Sequence, residues 1–592
     1  MSAHDQIRQH LYRGEFAAAR PLLERAARAS NDPQLLITLA NVLRALGEKE
    51  PAAYQASRAL ASALHTPSEP QVRIVAAELI QECGKPDEAA RHFRDGIARF
   101  PQAPNFRSGL INALRAAGKS GEAGDEAVSA LMLFPNDLLL LLVGAGALGE
   151  SLRQSAARDA LLRAIQLAPF DHRVLIPAAT MLHYCDGVEP NALTDIHRRA
   201  GIALVQSVGA SDWKPPSRDP GAALRIALVS SDFRDHAVAR FLEPWLVNRE
   251  RSGSVLIGVS LLGPPDSTTA RLKSLCDEWV DAAGKPDEEI TRLIRTARAD
   301  IAIDLSGLHV TGRPSVFARR VAPIQMTYLG YAGTTGIPSM DCRIVDGITD
   351  PPGAESLSTE KLIRLDGCFL CFSPDARTPE IRSTAKPGEV VFCSFNAQQK
   401  ITDTTLDLWS GVLRAVPHAR LLLKSRTLAD KRTREILNAA FASRGIDPGR
   451  IEVAPHSPDY RAHLETYNRA DIALDTFPYN GTTTTCEALS MGLPVVTLAG
   501  HSHASRVGSS LLNAAGLRAN IAAMPAEFVQ FAADLASGCA QLDSAARTRV
   551  KQTQRRSFIS SALCGAPAFA HRISGAIAVR ARHRIDAPRA AM

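Results

Sequence analysis

Apolar positions along the chain follow two different periods, and the change from one to the other divides it. In the first third they recur at helical spacing, as at Phe93, Ile97 and Phe100, with polar residues between. Over the same stretch Pro33, Pro67, Pro101, Pro135 and Pro169 stand 34 residues apart, and Gly84 with Gly118 and Ala89 with Ala123 keep that phase. The period predicts helix pairs in which a small residue lets the two helices approach and the proline ends the second. Gly47 and Gly149 each fall three residues early, which marks the flanking units as degenerate or shifted in their turns. After the turn-rich stretch from Asp212 to Gly221 the pattern becomes short apolar runs alternating with helical segments. Strands are predicted at Arg225–Val229, Val255–Ser260, Asp300–Leu305, Gln325–Leu329 and Cys342–Val345. A polar stretch near Asp375–Glu389 follows. The alternation then resumes at Val390–Ser394, Arg420–Lys424, Ile451–Ala454, Asp471–Asp475 and Pro494–Leu498.

This pattern implies a tetratricopeptide-type α-solenoid followed by two doubly wound α/β domains with ligands at the carboxyl ends of their strands. The expected boundaries are a solenoid over 1–205, a linker over 206–221, a first lobe over 222–380, a second lobe over 381–580 and a basic tail over 581–592. A last helix within Pro567–Ala581 is expected to cross back to the first lobe.

The most informative run is DTFPYNGTTTTCEALSMGLPVVT, Asp475 to Thr497. A buried strand ends at Asp475, Pro478, Asn480 and Gly481 turn the chain, and Thr482–Thr485 open a helix that stops at Gly492 before the next strand begins at Pro494. The unpaired amides of a helix's first turn and its positive dipole end form an anion site, to which threonine hydroxyls add donors, so the run reads as a diphosphate cradle. Capping of a purely structural helix is the competing role for the four threonines.

Composition narrows the class. With 592 residues and 45% hydrophobic content the chain can bury several cores. No apolar stretch approaches the roughly 20 residues of a membrane helix, and the opening MSAHDQIRQHLYRGEF has no signal core, so a cytoplasmic protein without a membrane span is expected. The 10 cysteines are scattered, as free thiols of a reducing compartment are, and the Cys368/Cys371 pair lacks a second pair at zinc-site spacing. The net charge of +7 mixes 61 acids among 68 bases, so no nucleic-acid surface is indicated.

The Asp475–Thr497 run, with Gly500 and Ser505–Leu512 after it, resembles the second catalytic lobe of the O-linked N-acetylglucosamine transferase (SPINDLY-like) family. Arg225–Phe233 with His236 is similar to the opening of that family's first lobe. Ala322–Gln325 with Leu329–Gly336 is similar to its middle, and Phe395–Asn396 with Lys400–Ile401 to the start of its second lobe. These four ordered blocks cover roughly Arg225 to Leu517. The resemblance implies a two-lobed GT-B glycosyltransferase that uses UDP-N-acetylglucosamine or a related UDP-sugar as donor substrate, with no cofactor and no metal. It also implies a protein or peptide acceptor docked by the repeats.

Its site residues carry over position by position. Lys400 matches the phosphate-binding lysine, although a solvated surface is the usual place of a lysine. Thr482, Thr483 and Thr484 lie at the diphosphate, and His463 lies near the nucleotide. Glu487 meets the ribose at a position where many relatives have aspartate, and a carboxylate accepts two hydroxyl donors well. Asn396, Asn480, Gly481 and Gly336 stand in the matching blocks as nucleotide-sugar contacts. His236 matches a histidine at the entrance of the first lobe; general base and shaper of the acceptor or sugar pocket are both open to it. Asp304 is a lower-ranked base candidate whose alternative is a cap or loop role. Many bacterial relatives have histidine directly after Gly307, where this chain has Leu308, with His309 one place on. Three readings result: an inverting transferase moving N-acetylglucosamine to Ser/Thr hydroxyls of proteins; the same fold with another nucleotide sugar or a polysaccharide acceptor; and a non-catalytic repeat scaffold.

Overall fold

The 34-residue period is built from consecutive helices: Pro33–Ala45 with Lys49–Ala63, Glu69–Glu82 with Pro86–Arg99, Pro104–Ala116 with Ser120–Leu133, and Leu138–Glu150 with Gln154–Leu167. The computed structural model describes residues 3–585 except positions 210, 217, 219, 220, 385 and 387. Four of the phased prolines lie between the second helix of one pair and the first of the next and Pro33 opens its helix, positions where a missing N–H costs nothing. Inside the pairs, Gly47, Gly84 and Gly118 turn the chain in the left-handed region at φ +83°, +89° and +75°. The fourth pair keeps this turn in phase with Leu152, at φ +64°, while Gly149 lies within its helix. Gly47 is displaced because the helix after it, the next turn and the next helix are each one residue longer than their counterparts. Close approach is visible at Gly96 and Gly109, where an added Cβ would fall 2.3 Å from the Phe106 ring and 2.2 Å from the Phe93 ring. Phe93, Ala89 and Ala123 are fully buried, whereas Ile97 and Phe100 are half-buried.

Contacts divide the chain into two units, Met1–Leu167 with Arg426–Leu437, and Ala168–Ser425 with Asn438–Met592. In the first, Asp430 accepts a hydrogen bond from the Gly121 amide at 2.9 Å and Arg432 pairs with Asp125 at 2.8 Å.

The second unit contains two parallel sheets. The first has β1 (Leu224–Ser230), β2 (Ser254–Ser260), β3 (Glu278–Asp281), β4 (Ile301–Asp304), β5 (Ile324–Thr327), β6 (Cys342–Asp346) and β7 (Lys361–Leu365), in the order β3-β2-β1-β4-β5-β6-β7. The second has β8 (Val390–Ser394), β9 (Ala419–Leu423), β10 (Ile451–Val453), β11 (Ile472–Leu474), β12 (Val495–Leu498) and β13 (Ile521–Ala522), in the order β10-β9-β8-β11-β12-β13. In each, the order reverses beside the first strand, the topological switch point at which doubly wound sheets hold ligands. The pattern of apolar runs missed β3, β7 and β13. All three are edge strands, and the half-exposed Glu-Trp-Val-Asp and Lys-Leu-Ile-Arg-Leu lack the continuous apolar run of a strand buried on both faces.

The helices His172–Leu182 and Pro190–Val208 belong to this second unit, so the division falls after Leu167 and not after residue 205. Leu204 is buried in the core of the first sheet with Ala227, Val229 and Ile257. A Cβ on Gly201 would fall 1.9 Å from the Gly336 carbonyl oxygen, and one on Gly336 would fall 1.8 Å from that of His197. The last helix, Ala566–Ile585, does cross back. Phe569, Ile573 and Ile577 are buried in one core with Phe241 and Trp245, and the Trp245 indole donates to Ser574 Oγ at 3.0 Å. This helix includes the first five residues of the expected basic tail; positions 586–592 lie outside the described residues. The lobes also meet through His503 and Asp350 at 2.6 Å and through Ser510, which donates to Asp346 at 2.5 Å.

Gly336→Ala is expected to destabilise the protein by about 2–4 kcal/mol, because it combines a left-handed φ with a backbone collision. Gly84→Ala, left-handed but facing open space, is expected to cost only about 1 kcal/mol. Urea denaturation of both variants checks the contrast.

Candidate functional site

The site grows from the carboxyl end of β11. Asp475 is 2% exposed, and its carboxylate accepts from the Gly481 amide at 2.6 Å, the Thr476 amide at 2.8 Å and Thr497 Oγ1 at 2.7 Å. Three donors fix the 475–481 turn. Burial pushes Asp475 up to about 6 against these bonds. Within the turn Asn480 is fully buried, its amide donating to the Thr476 carbonyl and accepting from the Gly508 amide, so its side chain is spent on holding the chain. Gly481 is constrained by crowding: a Cβ there would fall 2.7 Å from Thr484 Oγ1.

Lys400 enters from the short 3₁₀ turn Gln398–Lys400 after β8. Its ammonium donates to the Asn480 carbonyl at 2.8 Å and stands 4.4 Å from the centre of the Tyr479 ring. Desolvation lowers it to about 8, opposed by the charge of Asp475. The helix Thr483–Ser490 starts beside it, with Thr482 at the cap position and Thr484 Oγ1 donating to Asn396 Oδ1 at 2.9 Å. The first amides of that helix have no intrahelical acceptor, so they and the Lys400 ammonium are donors gathered at one end of the sheet.

One turn further along the helix, Glu487 is 5% exposed and faces His463, whose Nε2 lies 3.1 Å from Glu487 Oε2. His463 Nδ1 is 3.1 Å from the ammonium of Lys424, which also donates to Thr466 Oγ1 at 3.1 Å. Lys424 follows β9 directly, is buried, and is lowered to about 8 by desolvation against the pull of Glu487. Sequence reasoning passed over Lys424 as a strand end. Its signal was a lysine closing an apolar strand at the carboxyl edge of a parallel sheet, where ligands bind.

His236 belongs to the first lobe, at the N-cap of the helix Ala237–Asn248. Its Nδ1 accepts from the Val238 amide at 3.3 Å, which leaves the proton of the neutral ring on Nε2. Desolvation lowers its pKa, while Asp232, 3.7 Å away, opposes the shift. One turn on, the Arg240 guanidinium lies 3.7 Å from the centre of the Tyr460 ring, and Tyr460 in turn bonds Glu487. The helix carrying His236 thereby touches the cluster of Glu487 and His463. Lys400, Asn396, Asn480, Gly481, Thr484, His463 and Glu487 thus gather in the second lobe, with Thr482 and Thr483 at the helix start.

Gly336 is not among them. It packs on the His197 carbonyl, and its conformational freedom serves that contact. Asp304, pushed up to about 6 by burial, accepts from the amides of Ser306 and Gly307 in a loop turn. Leu308 is buried in the first lobe's core, and the exposed His309 lies 3.3 Å from Thr311 Oγ1. Cys368 and Cys371 are buried free thiols, both pushed up to about 12 by burial.

Two parallel, doubly wound sheets, each with its switch point beside its first strand, define the GT-B class of fold. The chain belongs to glycosyl transferase family 41, whose model matches residues 171–377 and 382–569. A tetratricopeptide repeat model matches residues 70–95. A solved structure of a mutant Thermobaculum terrenum O-GlcNAc transferase is 31% identical, with a TM-score of 0.77, covering 87% of this chain and 98% of that one. The probable UDP-N-acetylglucosamine–peptide N-acetylglucosaminyltransferase SPINDLY of Arabidopsis thaliana is 35% identical over 60% of this chain and 39% of its own length. The Petunia hybrida protein of the same name is 34% identical over 66% of this chain and 42% of its own. The chain therefore spans about two fifths of the length of these curated relatives. Among the described residues, no helix is long and apolar enough to cross a membrane.

Asp475→Ala would strand the Gly481 and Thr476 amides and is expected to cost about 2–4 kcal/mol. Asp475→Asn keeps an acceptor for both and is expected to stay within about 1 kcal/mol of wild type. Urea unfolding monitored by circular dichroism distinguishes them.

Proposed function

We propose that the protein is an inverting glycosyltransferase that moves N-acetylglucosamine from UDP-N-acetylglucosamine to serine or threonine hydroxyls of a protein or peptide acceptor. The observation that carries this reading is the Lys400 ammonium, held by the Asn480 carbonyl beside the amides that open the helix at Thr483. The printed names of the relatives support the donor and the acceptor class.

In this reading the donor diphosphate lies across the start of the Thr483 helix, with Lys400 against its negative charge. Glu487 accepts from the ribose hydroxyls, and His463, turned toward it, borders the nucleotide. The acceptor oxygen attacks the anomeric carbon from the face opposite UDP. A carbon–oxygen bond to the acceptor forms as the bond to the β-phosphate breaks, the bonding pair leaves with UDP, where Lys400 and the helix amides stabilise the developing charge, and the proton of the acceptor hydroxyl is released to the departing phosphate oxygen or to water. His236, with its proton on Nε2, donates toward the sugar or the incoming hydroxyl, a positioning role that its Nδ1 bond to Val238 favours over that of base. The repeats supply the surface on which a polypeptide acceptor docks. No metal is required in this scheme, since the cation and the helix start already oppose the diphosphate charge.

Incubation of the pure protein with a panel of nucleotide sugars, read by mass spectrometry for hydrolysis and for sugar added to protein, tests the reading. Consumption of UDP-N-acetylglucosamine with transfer to protein is expected, and it should persist in chelator. Exclusive use of another sugar would move the assignment within the fold.

Lys400→Ala is expected to abolish transfer and weaken UDP binding by about 2–4 kcal/mol. The sign of the pH effect follows from the lowered lysines. Below about 8, Lys400 is protonated and opposes the diphosphate charge while Lys424 adds positive charge beside His463; as pH rises through about 8 both lose that charge and UDP affinity falls. Calorimetry at pH 7 and pH 9 is expected to show the loss in wild type and a smaller one in Lys400→Ala.

A further inference from the structure

The connector between the helices His172–Leu182 and Pro190–Val208 takes no part in the chemistry above, yet it lies behind the phosphate lysine. The Tyr184 ring stacks on Tyr479 with centroids 4.6 Å apart and planes 12° from parallel. Tyr479 is the ring that faces the Lys400 ammonium. The Tyr184 hydroxyl bonds the side chain of Gln399, the residue before Lys400. Two residues on, Asp186 accepts from the Thr404 amide at 2.9 Å, in the first turn of the helix that begins just after Lys400. The connector's other flank is tied to the first lobe. The His183 ring lies 5.5 Å from that of Tyr331, whose hydroxyl is 2.7 Å from His197 Nε2.

We infer that Tyr184 is a positioning residue for Lys400: stacked on Tyr479 and bonded to Gln399, it fixes the ring that faces the ammonium and the turn from which the lysine side chain leaves. The connector before the first lobe is therefore part of the phosphate site. This rests on the transferase reading for its consequence in turnover, but the placement of the lysine is a separate question and can be tested separately. The charged and titratable groups facing Lys400 are Asp475 across the turn and Tyr479 beneath, with Tyr184 behind Tyr479. Removal of the Tyr184 ring opens a path for water to the ammonium, which relieves the desolvation that lowers it.

The test compares wild type, Tyr184→Ala and Tyr184→Phe in three measurements: the pH dependence of Lys400 acylation by an amine-reactive ester, read by mass spectrometry; UDP affinity by calorimetry; and kcat and KM with UDP-N-acetylglucosamine. In Tyr184→Ala the acylation midpoint is expected to rise from about 8 toward the ordinary lysine value. UDP affinity and kcat should fall by roughly tenfold, with KM following the affinity and not kcat. Tyr184→Phe keeps the stack and should recover most of the loss. A residue that merely supports the fold would lower the melting temperature and leave the acylation midpoint of the folded protein where it was, which would overturn the inference. So would wild-type UDP affinity in Tyr184→Ala. If wild type fails to bind UDP, the transferase reading fails while the acylation midpoints still decide the role of Tyr184. If Tyr184→Ala does not fold, Tyr184→Leu, which fills the space without an aromatic face or hydroxyl, decides on the same readings.

Discussion

A carboxylate with almost no access to water organises the site. Asp475 could sit in the interior as a neutral acid, but its oxygens are met by two backbone amides and a threonine hydroxyl, and a lysine lies within reach of its charge. The turn it holds is the one whose Asn480 carbonyl receives Lys400. The order of dependence is therefore strand, carboxylate, turn, cation. The helix start at Thr483 is aimed by the same turn, so the two positive elements of the site are placed by one negative one. Burial alone would drive Asp475 to protonate and Lys400 to lose its proton; each keeps the other's charge worth carrying.

The two lobes converge on this arrangement by different means. Aliphatic and aromatic packing along the last helix joins them far from the chemistry, while near it the contacts are polar and aromatic: His503 with Asp350, Ser510 with Asp346, Arg240 over Tyr460. The first two pairs are buried, so separating them would strand charged and polar groups away from water. Glu487 Oε2 lies 3.1 Å from His463 Nε2, and Tyr460, under the Arg240 guanidinium, borders the same carboxylate, so this cluster is joined to the helix that begins at His236.

Much of this was legible because it is local. The Pro478, Asn480 and Gly481 turn and the four threonines lie within a few residues of one another, and β11 and β12 are buried runs that announce themselves. The phased prolines carried the helix pairs, even where Leu152 replaced the turn glycine. What stayed hidden depended on distant partners. Gly336 stands in a block that resembles a nucleotide-sugar site, yet its reason for being glycine is the carbonyl of His197, on a helix well over a hundred residues earlier. Lys424 looks like a polar strand end until Ser457, His463 and Thr466 are folded around it. Tyr184 lies in a connector with no motif at all. The edge strands failed for a simpler reason, since half-exposed strands need not be apolar.

The contact of Gly201 with Gly336 carries a consequence for how such chains can change over time. The helices His172–Leu182 and Pro190–Val208 come directly after the repeats, but at 11 and 19 residues they differ from the repeat helices in length and belong to the second unit. Backbone touches backbone there, so a substitution, a slipped turn or an exchanged helix pair would be registered directly in the first sheet. Duplication or loss of a repeat can then be tolerated only upstream of His172. The two glycines thus hold this helix pair in register with the first sheet.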